Sequence, residues 1–121
     1  MTVVDPGQMA AAFEKLFNAG DLEGLVGLCE KDALFVTPDG TALRGLGGVR
    51  AALQGFLSLG GKATLEKVYC HVAGDMALAS ARWSLTGGNA PPGMGGKTAE
   101  VLRRQADGRW LFTIDSPTGG A

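Results

Sequence analysis

Apolar residues recur at helical spacing through the first half of the chain and at spacing two through the second. Asp5-Pro6 supplies a cap and a first-turn proline. Met9, Phe13, Leu16 and Phe17 then mark one side of a helix that stops at Asn18-Ala19-Gly20. Asp21 caps a short second helix with Leu22, Leu25, Val26 and Cys29 on one side, so the first two helices form a hairpin. Ala33-Leu34-Phe35-Val36 is a short apolar strand. Thr37-Pro38-Asp39-Gly40 closes it with the proline and glycine of a type I turn, and Thr41 to Arg44 returns. Beyond Gly45-Leu46-Gly47-Gly48, the set Val49, Ala52, Leu53, Phe56 and Leu57 predicts a third amphipathic helix ended by Gly60-Gly61.

From Lys62 the period changes to two. Lys62 to Val72 and Met76 to Thr86 flank Gly74-Asp75, while Thr98 to Gln105 and Arg109 to Asp115 flank Asp107-Gly108. The expected result is a four-strand meander, with a loop from Gly87 to Gly96 and a loose terminus from Ser116 to Ala121. Helices first and a mostly antiparallel sheet second make the fold class α+β, with three N-terminal helices on the sheet.

Reading Asp107-Gly108 as a two-residue loop sets Glu100 opposite Asp115. Like charges at that separation repel, so the pair requires a nearby cation, good hydration, or one carboxyl that keeps its proton. The same reading of Gly74-Asp75 sets Tyr69 opposite Ser80, His71 opposite Leu78 and Lys67 opposite Arg82. Each strand then has a polar side, with Tyr69, His71, Ser80, Arg82, Glu100, Thr113 and Asp115. The other side carries Val68, Cys70, Val72, Trp83, Val101, Trp110, Phe112 and Ile114. Two packings are open. In one the apolar side lies under the helices and the polar side meets water. In the other the polar side, interleaved with Met76, Leu78, Leu102 and Leu111, lines a pocket under the helices, and the Trp-rich side is a partner interface.

At 121 residues and 45% apolar content the chain is read as one domain, residues 1–121, large enough for its own core. Eleven Lys and Arg against twelve Asp and Glu leave no basic field for nucleic acid or an anionic membrane. Two cysteines, Cys29 and Cys70, in no CxxC pattern signal neither a disulfide scaffold nor a zinc cage. The start lacks a secretory pattern and no apolar stretch has membrane-spanning length, so a cytoplasmic protein is expected. No cofactor and no metal are expected either.

The run Phe13 through Asn18-Ala19-Gly20-Asp21, then Asp32 to Gly40, Arg44-Gly45, and Glu100-Val101-Leu102-Arg103-Arg104 through Asp107-Gly108-Arg109-Trp110, resembles the nuclear transport factor 2-like superfamily. The similarity is to its SnoaL-like and ketosteroid isomerase-like branches and covers nearly the whole chain. It implies a cone of a curved sheet and three helices, usually dimeric through the outer sheet face, with an apolar pocket inside. Steroid-isomerising members carry a carboxylate base, a tyrosine and an acidic donor at positions that fall on Thr37, Phe13 and Glu100. A threonine hydroxyl cannot accept a proton near neutral pH and a phenyl ring donates no hydrogen bond, so that mechanism is not expected here. Asp39 is read as a turn residue with a base as the alternative.

The remaining candidates are few. Gly93 to Thr98 lacks the first glycine and the parallel-sheet setting of a phosphate loop. His71 is the only imidazole, Cys70 cannot join it from the opposite strand face, and a dyad would need Cys29 to approach from helix two. Arg82 is a candidate to balance Glu100 and Asp115. The ligand-contact set is Phe13, Phe17, Thr37, Asp39, Tyr69, His71, Ser80, Arg82, Leu102 and Thr113, around catalytic Glu100 and Asp115. Two functions stay open. One is an isomerase, cyclase or dehydratase acting on a small apolar organic molecule by proton transfer, and the other is a non-catalytic binding or assembly module of the same fold.

Overall fold

The computed structural model describes residues 2–120; Met1 and Ala121, at the two ends of the expected domain, lie outside them. Asp5 accepts a hydrogen bond from the Gly7 amide at 2.9 Å and starts a 3-10 turn over Pro6–Gln8. Helix α1 (Met9–Asn18) follows, with Met9, Ala12, Leu16 and Phe17 buried. Asp21 caps α2 (Leu22–Val26) through Gly24 N–H at 2.8 Å. Strand β1 (Cys29–Val36) then pairs with β2 (Ala42–Arg44), and α3 (Leu46–Leu57) returns over them with Val49 and Leu53 buried. Cys29 therefore opens β1 rather than lying on α2, because the helix ends when Gly27 and Leu28 turn the chain.

The remaining strands are β3 (Lys62–Ala73), β4 (Met76–Thr86), β5 (Gly95–Lys97), β6 (Ala99–Arg104) and β7 (Trp110–Ser116). Their order across the sheet is β2-β1-β7-β6-β4-β3, with β5 on β4. The meander is present as expected, antiparallel throughout, and β1 joins it parallel to β7. The segment expected as a loop between the hairpins ends in β5. The terminus is not loose through residue 120, since the Trp83 indole N–H donates to Pro117 O at 2.6 Å and Gly120 N–H to Lys97 O at 2.8 Å.

Two irregularities govern which side chains face the helices. Val68 is an extra residue in β3 and Thr113 an extra residue in β7, each opposed by nothing on the partner strand. Such bulges bend a strand and reset its alternation. Helix α1 covers the open edge of β3: Asn18 both donates to and accepts from the Ala63 backbone, at 2.9 and 2.8 Å, and Glu14 accepts from Leu65 N–H at 2.8 Å. These bonds use edge groups that would otherwise be free to pair with another chain. They also hold Phe13 and Phe17 over the sheet. No helix among the described residues is long and apolar enough to cross a membrane.

Candidate functional site

Glu100 and Asp115 are cross-strand partners on β6 and β7, as the hairpin pattern predicts. They arrive there by a different route. The loop has three residues rather than two: Gln105 N–H bonds Arg109 O at 2.7 Å, Gly108 N–H bonds Gln105 O at 2.9 Å, and Gly108 has φ +90°. That shifts the pairing by one residue near the turn, and the bulge at Thr113 shifts it back before Glu100 is reached.

Both carboxyls line a cavity of about 60 Å³ beneath α1 and α3, walled by Phe13, Phe17, Phe35, Phe56, Trp83 and Phe112 among others. Glu100 is 7% and Asp115 9% exposed. Thr98 is the other polar side chain of the lining with a free donor. Its hydroxyl oxygen accepts from Ala81 N–H at 2.8 Å, which leaves its proton for Glu100. Among the described residues, no side chain hydrogen-bonds Asp115, and no Lys, Arg or His lines the cavity. Burial pushes the Glu100 carboxyl above its usual range against the Thr98 hydroxyl, and burial followed by the charge of Glu100 pushes Asp115 well above its own. Two carboxyls so placed cannot both ionise at ordinary cost, so the pair holds a proton where isolated acids have lost theirs. Cys29 is a poor nucleophile, because burial first and the Asp115 charge second push its thiol up to about 12.

Of the other residues singled out from the sequence, Phe13 and Phe17 line the cavity, and Leu102 is fully buried in the core. Thr37, half-buried, and Asp39, exposed, lie in the β1–β2 turn. Thr37 donates to Asp39, and this bond with the Thr41 contacts holds the Asp39 carboxyl down at about 2, so it is the turn residue its spacing predicts.

Tyr69, His71, Ser80, Arg82 and Thr113 do not join the acids, and this corrects the single polar side expected above. Along β4, Ala79, Trp83 and Leu85 face the core, which turns Leu78, Ser80 and Arg82 outward. Tyr69 and His71, their partners across β3, turn out with them and stack at 5.0 Å. The Ser80 hydroxyl donates to Thr98 O at 2.5 Å. Thr113 donates to Glu30 at 2.9 Å, beside the Arg103–Glu30 ion pair at 3.1 Å. Because of the Val68 bulge, Arg82 stands opposite Glu66 and Lys67 opposite Ala81, so Arg82 balances nothing at the site. Trp83, Trp110 and Phe112 lie inside rather than on a partner face.

Thr98 and Phe56 are the cavity residues the motif reading passed over. Thr98 was within reach, because it precedes Glu100 by two on one strand. Among the described residues no three of His, Cys, Asp and Glu converge on a metal-binding point.

No curated protein matches the sequence. Among solved structures, the chain is similar to a candidate calcium/calmodulin-dependent protein kinase type II association domain from Thiobacillus denitrificans. The two are 22% identical with a TM-score of 0.77, over 97% of this chain and 98% of that one. A candidate dehydratase of the nuclear transport factor 2-like family from Streptomyces avermitilis is 22% identical with a TM-score of 0.72 over 89% of each chain. A nuclear transport factor 2-like protein of unknown function from Pseudomonas putida is 19% identical with a TM-score of 0.72, over 92% of this chain and 81% of that one. At such identities the likeness shows a shared fold. The family assignment comes from the sequence: the SnoaL-like domain family matches residues 10–113. With the α+β architecture and the cavity between helices and sheet in place, the chain belongs to the SnoaL-like domain family and shares its fold with the nuclear transport factor 2-like structures.

Proposed function

We propose that the cavity binds a small, largely apolar organic molecule and that Glu100 and Asp115 move a proton on it, one carboxyl donating while its neighbour accepts. The observation that carries this is the opposed acid pair, buried under aromatic walls with no cation among the described residues beside it. A carboxyl kept protonated by its surroundings is a competent acid near neutral pH, and the ionised partner is a competent base. The reaction class is that of an isomerase, cyclase or dehydratase.

The test needs no known substrate. A panel of small apolar ketones and imines is incubated with the protein in D2O, and loss of the proton beside the C=O or C=N group is followed by NMR. Wild type accelerates exchange on at least one compound, and Glu100→Gln and Asp115→Asn each slow it by about 10²-fold or more. Equal rates in wild type and both variants overturn the reading.

The second reading is a non-catalytic binding or assembly module, favoured by Thr37 and Phe13 standing where steroid-isomerising relatives carry a base and a tyrosine. For either reading we propose a homodimer through the outer sheet face. Its support is an apolar row there, Leu78, Val101, Ile114 and Leu34 on adjacent strands, with Leu78 49% and Ile114 36% exposed. A cytoplasmic setting accords with two free thiols, Cys29 and Cys70.

A further inference from the structure

The chemistry of the cavity wall is unbalanced in one direction. Glu100 and Asp115 face each other, each more than nine-tenths buried, and open into the same space. The Asp115 carboxyl has no hydrogen-bond donor among the described residues, and Glu100 has the Thr98 hydroxyl. Every ion pair among the described residues is elsewhere, on Arg50, Arg103, Arg104 and Arg109. The positive charge that two buried acids call for is therefore not supplied by the described residues.

We propose that the cavity takes a small apolar molecule carrying a protonatable nitrogen, whose positive charge lies between Glu100 and Asp115 and against the aromatic walls. This rests on the reading of the cavity as the ligand site and names its substrate class.

The three charge types of guest fare differently there. An anion is repelled by whichever acid is ionised and finds no cation. A neutral carbonyl is served by one protonated carboxyl, and the second acid then adds desolvation cost without a contact. A cation donates a charge-assisted hydrogen bond to an ionised carboxyl and lets the pair release the proton it holds. The walls favour the same guest. Phe13, Phe56, Trp83 and Phe112 present rings around the cavity beside the buried acids, where a cation gains from the ring faces. The titratable groups that reach the pair from neighbouring strands are Cys29 on β1 and Cys70 on β3. Both thiols are pushed up, mainly by burial, and stay neutral at the assay pH. A proton released on binding therefore comes from the acids.

Benzylamine, benzyl alcohol and benzoate share a ring and differ in charge, and their binding is measured by calorimetry from pH 5 to 8 in two buffers of different ionisation enthalpy. Benzylamine is expected to bind tightest, with affinity rising up to about tenfold per pH unit while the pair gives up its proton. One proton should be released per amine bound, and Glu100→Gln and Asp115→Asn should each weaken the amine at least tenfold. If either variant fails to fold, the proton release by wild type still decides. Equal or tighter binding of the alcohol, or amine binding without proton release, overturns the substrate class and leaves the cavity as a ligand site. Failure of all three to bind overturns both.

Discussion

Two neighbouring rows of residues cross the sheet one position apart, and they invert the usual arrangement of polar and apolar groups. The inner row runs Cys70, Ala79, Glu100, Asp115, Phe35 and Leu43 over β3, β4, β6, β7, β1 and β2. It faces the helices and places two acids in the cavity beneath them. The outer row runs His71, Leu78, Val101, Ile114, Leu34 and Arg44 on the same strands, and its aliphatic centre faces outward. A sheet selected for stability alone would exchange the two. Where a chain keeps acids inside and aliphatics outside, each row bears a cost that folding does not explain, which points to a ligand for the first and a protein surface for the second.

The largest effect should come from making the inner row ordinary. Glu100→Met together with Asp115→Leu is expected to raise stability at pH 7 by roughly 1–4 kcal/mol, because apolar side chains of similar size end the desolvation of two acids. Urea unfolding measures this, and a loss of stability would mean that the acids are compensated in the native protein.

Titration of the wild type sharpens the contrast next. Both carboxyls have native pKa values raised above their unfolded ones. Their contribution is therefore complete below the ordinary carboxylate range and is lost as pH rises through that range toward the raised native values. Over this window stability should fall by about 1.4 kcal/mol per pH unit for each proton retained by the native state alone. Glu100→Gln should flatten the slope in urea unfolding at a series of pH values, and a wild-type stability that climbs there would contradict the assignment. The smallest effect on folding belongs to the outer row. Leu78→Lys and Ile114→Lys should change monomer stability by no more than about 0.5 kcal/mol. Sedimentation should nevertheless show the mass falling from two copies to one.

The comparison also marks what could be read from the letters. The three helices and the four-strand meander follow from caps, spacing and turn residues, whereas the opposition of Glu100 to Asp115 agrees with a two-residue turn only because the Thr113 bulge offsets the third loop residue. The turns show where such reading is safe and where it fails. Pro38-Asp39-Gly40 and Ala106-Asp107-Gly108 are the same three-residue loop. In each the glycine has positive φ, and the aspartate accepts from the backbone amide two residues on, Thr41 at 3.0 Å and Arg109 at 3.1 Å. The proline made the first legible. Without it, Asp-Gly reads equally well as a two-residue turn.

The amino-acid sequence by itself determined the three helices and the four strands of the meander with their order. Only the tertiary structure added the parallel pairing of β1 with β7, set Glu100 opposite Asp115 and decided which face of each strand they share. Side-chain direction alternates with every residue, so one extra residue, Val68 in β3 or Thr113 in β7, sends everything beyond it to the opposite side. Those bulges have no local signature. They form because a sheet must curve to close over a helical layer, a demand set by the assembled molecule rather than by any stretch of chain within it.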